Sequence, residues 1–477
     1  MSELNPARDY FESIADQWDS MRSGYFTEAV REAAIARSYL HPDMIVADIG
    51  AGTGFVTAGL APLVKKVHLV DGSRAMLDVA RQNLASFANL EFHEADGQSL
   101  PLPDASLDAA FANMYLHHCP DPLSAILEIV RTLRPGGRLV VTDMDSHSHA
   151  WLKEEMADVW LGFDREQIRS WFTQAGLVNL VIDCTGESCS ARSQEADGES
   201  ARIDVFVATG TRALRMRSSV QASYAARAQS SGEGCCDDGC CTPGLISLDE
   251  VSSGSVSFDG GYSAVELSSV PAQAAEISLG CGNPTALAEL RPGEVVLDIG
   301  SGGGIDAFLA SQRVGPTGRV IGVDMTPAML QRARRAAEQG GFRNVNFRHG
   351  YAEELPIEDA SVDVILSNCV INLADDKGLV FREAWRVLRE GGRLEINDMV
   401  FGSGVLPALR ASSSGWSECI SGALPEAEYV DLVRQAGFGE IRVRRSTSSG
   451  ETAGVPVYSI HLSARKPGDP ASSRTLG

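Results

Sequence analysis

The sequence predicts two α/β domains in tandem, each built on a doubly wound, mostly parallel sheet. Three patterns predict it, because each occurs twice and in the same order. Val-Ala-Asp-Ile-Gly-Ala-Gly-Thr-Gly (46–54) returns as Val-Leu-Asp-Ile-Gly-Ser-Gly-Gly-Gly (296–304). Leu-Pro-Leu-Pro-Asp-Ala-Ser-Leu-Asp (100–108) returns as Leu-Pro-Ile-Glu-Asp-Ala-Ser-Val-Asp (355–363), and Leu-Arg-Pro-Gly-Gly-Arg-Leu (133–139) as Leu-Arg-Glu-Gly-Gly-Arg-Leu (388–394). The displacement is about 250 residues each time, which is a domain copied whole and far longer than a solenoid period.

The elements of the second copy follow in order. Val295–Ile299 is a short apolar run of strand length, and Ile305–Val314 is a helix closed by Gly315-Pro316. Val320–Val323 is the next strand and Pro327–Gln339 a helix with apolar residues at helical spacing. Val362–Ser367 is a strand, Gly378–Leu388 a helix and Arg393–Asn397 a strand. Strands alternating with helices imply a parallel sheet covered on both faces, and the first copy keeps the same rhythm. The expected division is a first domain over 1–213, a linker over 214–250, a second domain over 251–466 and a frayed tail over 467–477. The linker is expected to be mobile because Ser, Gly, Ala and Cys replace apolar residues there.

The chain has 477 residues, 44% of them hydrophobic, with a net charge of −22. So acidic a balance argues against nucleic acid or an anionic membrane as partner. No apolar run reaches the ~20 residues of a bilayer span, and the N-terminus lacks a basic-then-apolar leader pattern. A cytoplasmic protein is expected, and in a reducing compartment its ten cysteines read as metal-binding or catalytic rather than structural.

The glycine loops carry the first chemical signal. Asp-Ile-Gly-x-Gly-x-Gly after a strand lets backbone approach a ligand at the strand–helix turn. An acid ends the following strand, Asp71 in Leu-Val-Asp and Asp324 in Gly-Val-Asp, where a carboxylate can accept both hydroxyls of a ribose. Asp96 and Glu353 follow the third strand and could meet an adenine edge. Loop, acid and later Gly-Gly-Arg-Leu turn, in order and twice, resemble the class I S-adenosylmethionine-dependent methyltransferases, whose fold is Rossmann-like. The cofactor candidates are Gly50, Gly52, Gly54, Asp71 and Asp96 in the first copy. In the second they are Asp298, Gly300, Ser301, Gly302, Gly304, Asp324, Met325, Glu353 and Asn368.

Cysteines carry the second signal. Cys281 lies in Ser-Leu-Gly-Cys-Gly-Asn-Pro (278–284), Cys369 ends a strand in Ser-Asn-Cys-Val-Ile-Asn-Leu (367–373), and Cys419 opens Cys-Ile-Ser-Gly-Ala-Leu (419–424). A doubly wound fold can gather all three at the carboxyl ends of its strands, and three thiolates suit a thiophilic ion better than a carbon substrate. With Gly-Tyr-Ser-Ala-Val-Glu-Leu (261–267) and Val-Asp-Met-Thr-Pro-Ala-Met-Leu (323–330), these motifs resemble the arsenite methyltransferases. The resemblance implies that Cys369 and Cys419 hold As(III), with Cys281 as third ligand and redox partner. It implies a fourth thiol upstream, which here is one of Cys235, Cys236, Cys240 or Cys241. It further implies arsenite or methylarsenite as substrate and thioredoxin or glutathione as reductant. The two linker Cys-Cys pairs could alternatively form a separate soft-metal clip.

The first domain fixes no substrate. Tyr10–Asp19 and Met-Tyr-Leu-His-His-Cys-Pro-Asp-Pro (114–122) resemble the ubiquinone/menaquinone-type small-molecule methyltransferases. His117 and His118 sit where a substrate could approach, although a structural role is the commoner one. Cys119, Cys184 and Cys189 match none of the arsenic motifs. The competing readings are a methyltransferase acting on another small molecule through the first domain, and a thiol-rich metalloid-binding protein without turnover.

Overall fold

A computed structural model describes residues 6–193, 198–229, 261–275, 282–410, 420, 422–452 and 455–468. The chain divides into two compact units, residues 1–214 with 403–411 and residues 215–402 with 412–477. The first holds a seven-stranded sheet of β1 (Ile45–Ile49), β2 (Lys66–Asp71), β3 (Leu90–Glu94), β4 (Leu107–Asn113), β5 (Leu133–Met144), β6 (Leu177–Arg192) and β7 (Ser200–Arg212). Its spatial order is β3-β2-β1-β4-β5-β7-β6. The first five strands are parallel, and β7 runs antiparallel to both β5 and β6.

The second unit repeats this plan with β8 (Val295–Ile299), β9 (Arg319–Asp324), β10 (Val345–His349), β11 (Val362–Asn368), β12 (Leu388–Phe401), β13 (Leu424–Pro425), β14 (Gly439–Thr452) and β15 (Val455–Arg465). Its order is β10-β9-β8-β11-β12-β15-β14, with the short β13 paired to the end of β12. Both units are therefore doubly wound α/β sheets, as their sequences predict.

Central strands read as apolar runs because both of their faces are covered. In β1, Val46 packs into one core with Val67 and Leu69, while Ala47 and Ile49 pack into the opposite one with Val70 and Ala110. The predicted helix Ile305–Val314 is found with those bounds, and Pro327–Gln339 extends one residue to Gly340. In each unit the strand order reverses between β1 and β4, or β8 and β11, which opens a crevice at the strands' carboxyl ends.

The segment 214–250 does not begin as the mobile linker its composition suggested. Residues Arg217–Gln229 form a helix of the second unit. Apart from the buried Val220, polar contacts hold it down. Arg217 pairs with Glu353 at 2.7 Å, Gln221 Nε2 donates to Met325 O at 2.8 Å, and the Met216 N–H donates to Asp375 at 2.9 Å. A scan for apolar periodicity is blind to such anchors. The rest of that segment, with Cys235, Cys236, Cys240 and Cys241, lies outside the described residues, as do Cys281, Cys419 and the tail from 469.

Candidate active site

The two crevices are lined by the same backbone device. In the first loop Gly50, Gly52 and Gly54 have φ of +67°, +52° and +89°; in the second Gly300, Gly302 and Gly304 have +74°, +49° and +94°. A β-carbon at Gly50 would collide with Tyr115, and one at Gly300 with Val370. Glycine is thus required by conformation and by close approach. The acids at the ends of β2 and β9 lock these loops. Asp71 accepts from Gly52 N at 2.8 Å and Ser73 N at 2.8 Å; Asp324 accepts from Gly302 N at 2.9 Å and Thr326 N at 2.7 Å. Each carboxylate oxygen takes one backbone donor and keeps lone pairs for a ligand. Burial raises the pKa of both acids, and the backbone donors counter it.

The second cavity is lined by Asp298, Gly300, Ser301, Gly302, Asp324, Met325, Glu353, Asn368 and Cys369, among others. Of the sequence-derived candidates, Gly304 stands one step back as the N-cap of the helix Ile305–Val314. Sequence reasoning missed Arg217, Tyr224 and Tyr262, which also line it. The Tyr262 hydroxyl donates to Asp306 at 2.7 Å, and Asn368 Nδ2 reaches the Tyr262 hydroxyl at 3.0 Å and Gly282 O at 2.7 Å. Asp298 Oδ2, Ser301 Oγ and Asn368 Oδ1 are buried with no hydrogen-bond partner among the described residues. Burial next to Asp306 and Asp324 pushes Asp298 well above the usual carboxylate range. Three unsatisfied polar atoms around a glycine cradle are what a polar ligand such as S-adenosylmethionine would complete. Glu353, expected at the adenine edge, lines the cavity but already gives one oxygen to Arg217.

Cys369 is the one cysteine of the expected arsenic set within the described residues. It is buried, lines the cavity and is disulfide-bonded. Its φ of +58° is unusual for a residue with a side chain, and its N–H donates to Asn397 O at 2.8 Å. The flanks of the other two cysteines approach the same end of the sheet. Gly282, which follows Cys281, accepts the bond from Asn368, which precedes Cys369. Leu424–Pro425, just beyond Cys419, pairs with Val400–Phe401 at the carboxyl end of β12.

The first cavity shares Gly50, Gly52, Asp71 and Asp96 in its lining, with Gly54 again at the helix N-cap. The helix Pro6–Tyr25 contributes Phe11, Trp18 and Arg22. At the position of Cys369 it has Met114, with φ of +49° and an N–H bonded to Thr142 O at 2.8 Å. Where the second unit has Asn372 and Leu373, the first has His117 and His118. His117 Nδ1 lies 2.7 Å from Asp143. Burial opposes its charge, but Asp143 outweighs it and holds the imidazole up to about 9. Burial and the His117 charge push His118 well down. Cys119, Cys184 and Cys189 are free thiols. Cys119 and Cys189 sit in separate apolar cores, each pushed up to about 12 by burial.

Two doubly wound sheets, each with a glycine cradle and a terminal acid, define a tandem class I S-adenosylmethionine-dependent methyltransferase. Models of the methyltransferase domain match residues 47–141 and 290–437. The chain is 38% identical over 292 residues to an arsenite methyltransferase of Halobacterium salinarum, covering 58% of this chain and 74% of that protein. It belongs to the arsenite methyltransferase family. It is also 41% identical over 152 residues to the arsenite methyltransferase of Homo sapiens, covering 30% of this chain and 40% of that one. The crystal structure of an arsenic(III) S-adenosylmethionine methyltransferase from Chlamydomonas reinhardtii is 34% identical, with a TM-score of 0.39, over 43% of this chain and 73% of that one. Among the described residues no helix is long and apolar enough to cross a membrane.

Proposed function

We propose that the second unit methylates trivalent arsenic held by the thiolates of Cys369, Cys419 and Cys281, as a cytoplasmic detoxification reaction. The observation that carries this is the bond from Asn368 to Gly282. It ties the residue before one motif cysteine to the residue after another, at the edge of the cofactor cavity. Thiolates are the ligands a soft metalloid prefers, and three of them at this strand end would hold arsenic within reach of transfer.

When bound, S-adenosylmethionine supplies an electrophilic methyl group. Asp324 would hold the ribose, and Glu353, steadied by Arg217, the adenine edge. Asp298, Ser301 and Asn368 offer the remaining polar contacts. The thiolates displace hydroxide from As(III), exclude water from it and fix the direction of its lone pair, so catalysis is positioning and desolvation. No general base is needed, because the attacking pair is already on arsenic.

Accepting a methyl cation formally oxidises the arsenic by two electrons. Two thiols that close to a disulfide return them, releasing two protons. Cys281 with one of Cys235, Cys236, Cys240 or Cys241 would serve, and thioredoxin or glutathione would reset the pair by thiol exchange.

Arsenic speciation by mass spectrometry tests the proposal, after incubating the protein with arsenite, S-adenosylmethionine and thioredoxin or glutathione. Methylated arsenicals are expected from the wild type and not from Cys369→Ser or Cys419→Ser. Full activity in both variants would sink the assignment, and arsenite bound but unchanged would favour a scavenger.

A further inference from the structure

The first unit carries a side-chain cluster that the arsenic chemistry does not use and that the second unit lacks. We propose that His117, His118 and Asp158 bind a divalent first-row transition-metal ion in the wall of the first cavity. Asp158 Oδ1 lies 3.7 Å from His117 Nε2 and 3.7 Å from His118 Nδ1; His118 Nδ1 also lies 3.2 Å from Ala157 O, a contact that metal binding would replace. All three donor atoms fall within 4.8 Å of one another. Ligands of a tetrahedral ion with bonds of about 2.0–2.1 Å stand about 3.3 Å apart, so a small contraction closes the set. Two imidazoles and a carboxylate suit zinc and its neighbours rather than calcium or magnesium.

Three further features make this a built arrangement. Asp143 Oδ1 lies 2.7 Å from Nδ1 of His117, and Asp143 Oδ2 accepts the His117 backbone N–H at 3.3 Å. A carboxylate behind the ligating imidazole orients it and sets its tautomer, as in carboxylate–histidine–metal triads. The loop bearing Asp158 is fastened to the same residue, because Val159 N and Trp160 N both donate to His117 O at 2.9 Å. The Asp158 side chain is 3% exposed, and the imidazoles of His117 and His118 each lie 3.7 Å from its Oδ1. Two buried carboxylates, Asp143 and Asp158, would face an ion held here.

His118 lines the cavity that the first glycine loop also lines, so an ion held there would stand where an acceptor enters. In the second unit Asn372 keeps the backbone bond to Asp398 at 3.2 Å, but Asn372 and Leu373 offer no imidazole. The two imidazoles have no counterpart at these positions of the second unit.

The competing account is a closed ion pair, with a protonated His117 between two carboxylates and no metal. Titrating Co(II) into untagged, reduced, full-length protein separates the two. Cobalt held by nitrogen and oxygen absorbs in the visible without the thiolate charge-transfer bands that the cysteines would give. One equivalent of thiolate-free absorption is expected in the wild type. It should disappear in Asp158→Asn and in His118→Gln, two variants that need not share a folding defect. Asp143→Asn, which keeps all three ligands, should weaken cobalt by about 10–100-fold. His68→Gln should leave the signal intact. That variant controls for His68 and His93, whose Nδ1 and Nε2 lie 3.0 Å apart beside Glu91. Absence of thiolate-free absorption in the wild type, or its persistence in either Asp158→Asn or His118→Gln, overturns the proposal.

Discussion

The two units share a cofactor half and differ in an acceptor half. The loops Gly50–Gly54 and Gly300–Gly304 agree in the sign of φ at all three glycines, and each middle glycine donates to the acid of the next strand. Beyond β4 and β11 the backbones still coincide in their bonds, but the side chains part company. Met114 stands at the position of Cys369, Tyr115 at that of Val370, and His117–His118 at those of Asn372–Leu373. A thioether cannot become a thiolate, so the first unit lacks the ligand on which the arsenic reading of the second depends. Cofactor recognition is written in backbone, and acceptor choice in a few side chains at one strand end.

The sharpest test of that division is a paired substitution. Cys369→Ser should reduce arsenite methylation by more than about 100-fold, since even outer-shell partners of a metal ligand are worth 10–100-fold. Met114→Leu should leave it unchanged, and equal losses in both would erase the proposed difference between the units. Next come the acids. Asp324→Ala removes two charge-assisted bonds that brace the second loop, each worth about 1.5–3 kcal/mol. Arsenite turnover should fall by at least about tenfold, whereas Asp71→Ala should spare it. Calorimetric titration with S-adenosylmethionine should give two sites per chain, and either alanine should leave one tight site.

A smaller effect concerns the helix Arg217–Gln229. Arg217→Met strands the nearly buried Glu353 without its partner, at a cost of about 1 kcal/mol, the low end for such a loss because Arg217 is half exposed. Cofactor affinity measured in Asp71→Ala protein should weaken by roughly fivefold; unchanged affinity would mean that this helix is no part of the second site. A separate effect is expected in pH. Burial raises Asp398 from 3.8 to about 7, against hydrogen bonds from Met399 N and Tyr429. A raised carboxyl contributes stability that is fully present below about pH 4 and lost as pH climbs through about 7. Thermal melts should therefore show the second unit weakening across that window, and Asp398→Asn should flatten the slope.

Much of this was legible in the sequence for identifiable reasons. Glycines with obligatory φ, an acid at a fixed strand end and apolar runs between them are local signals, and their repetition made both cradles readable. Cys369 was legible because its motif ends a strand. The helix beside the second cavity was not, because Arg217 and Gln221 hold it to the unit through partners about 100 residues or more away, in a stretch whose composition reads as linker. Tyr262 escaped for a similar reason, since its role depends on Asp306 and Asn368 meeting it across the fold. Asp158 carries no motif at all. Only the loop bonded to the His117 carbonyl brings it to the histidines.

Met114 and Cys369 both occupy the left-handed region, at a conformational cost of roughly 1–3 kcal/mol that most positions avoid. Both units keep it, so this vertex behaves as a socket whose orientation is set before its occupant is chosen. Exchanging the occupant would retarget a methyltransferase without rebuilding its chassis. A duplicated gene gives such an exchange room to happen, because one copy can change trade while the other keeps working.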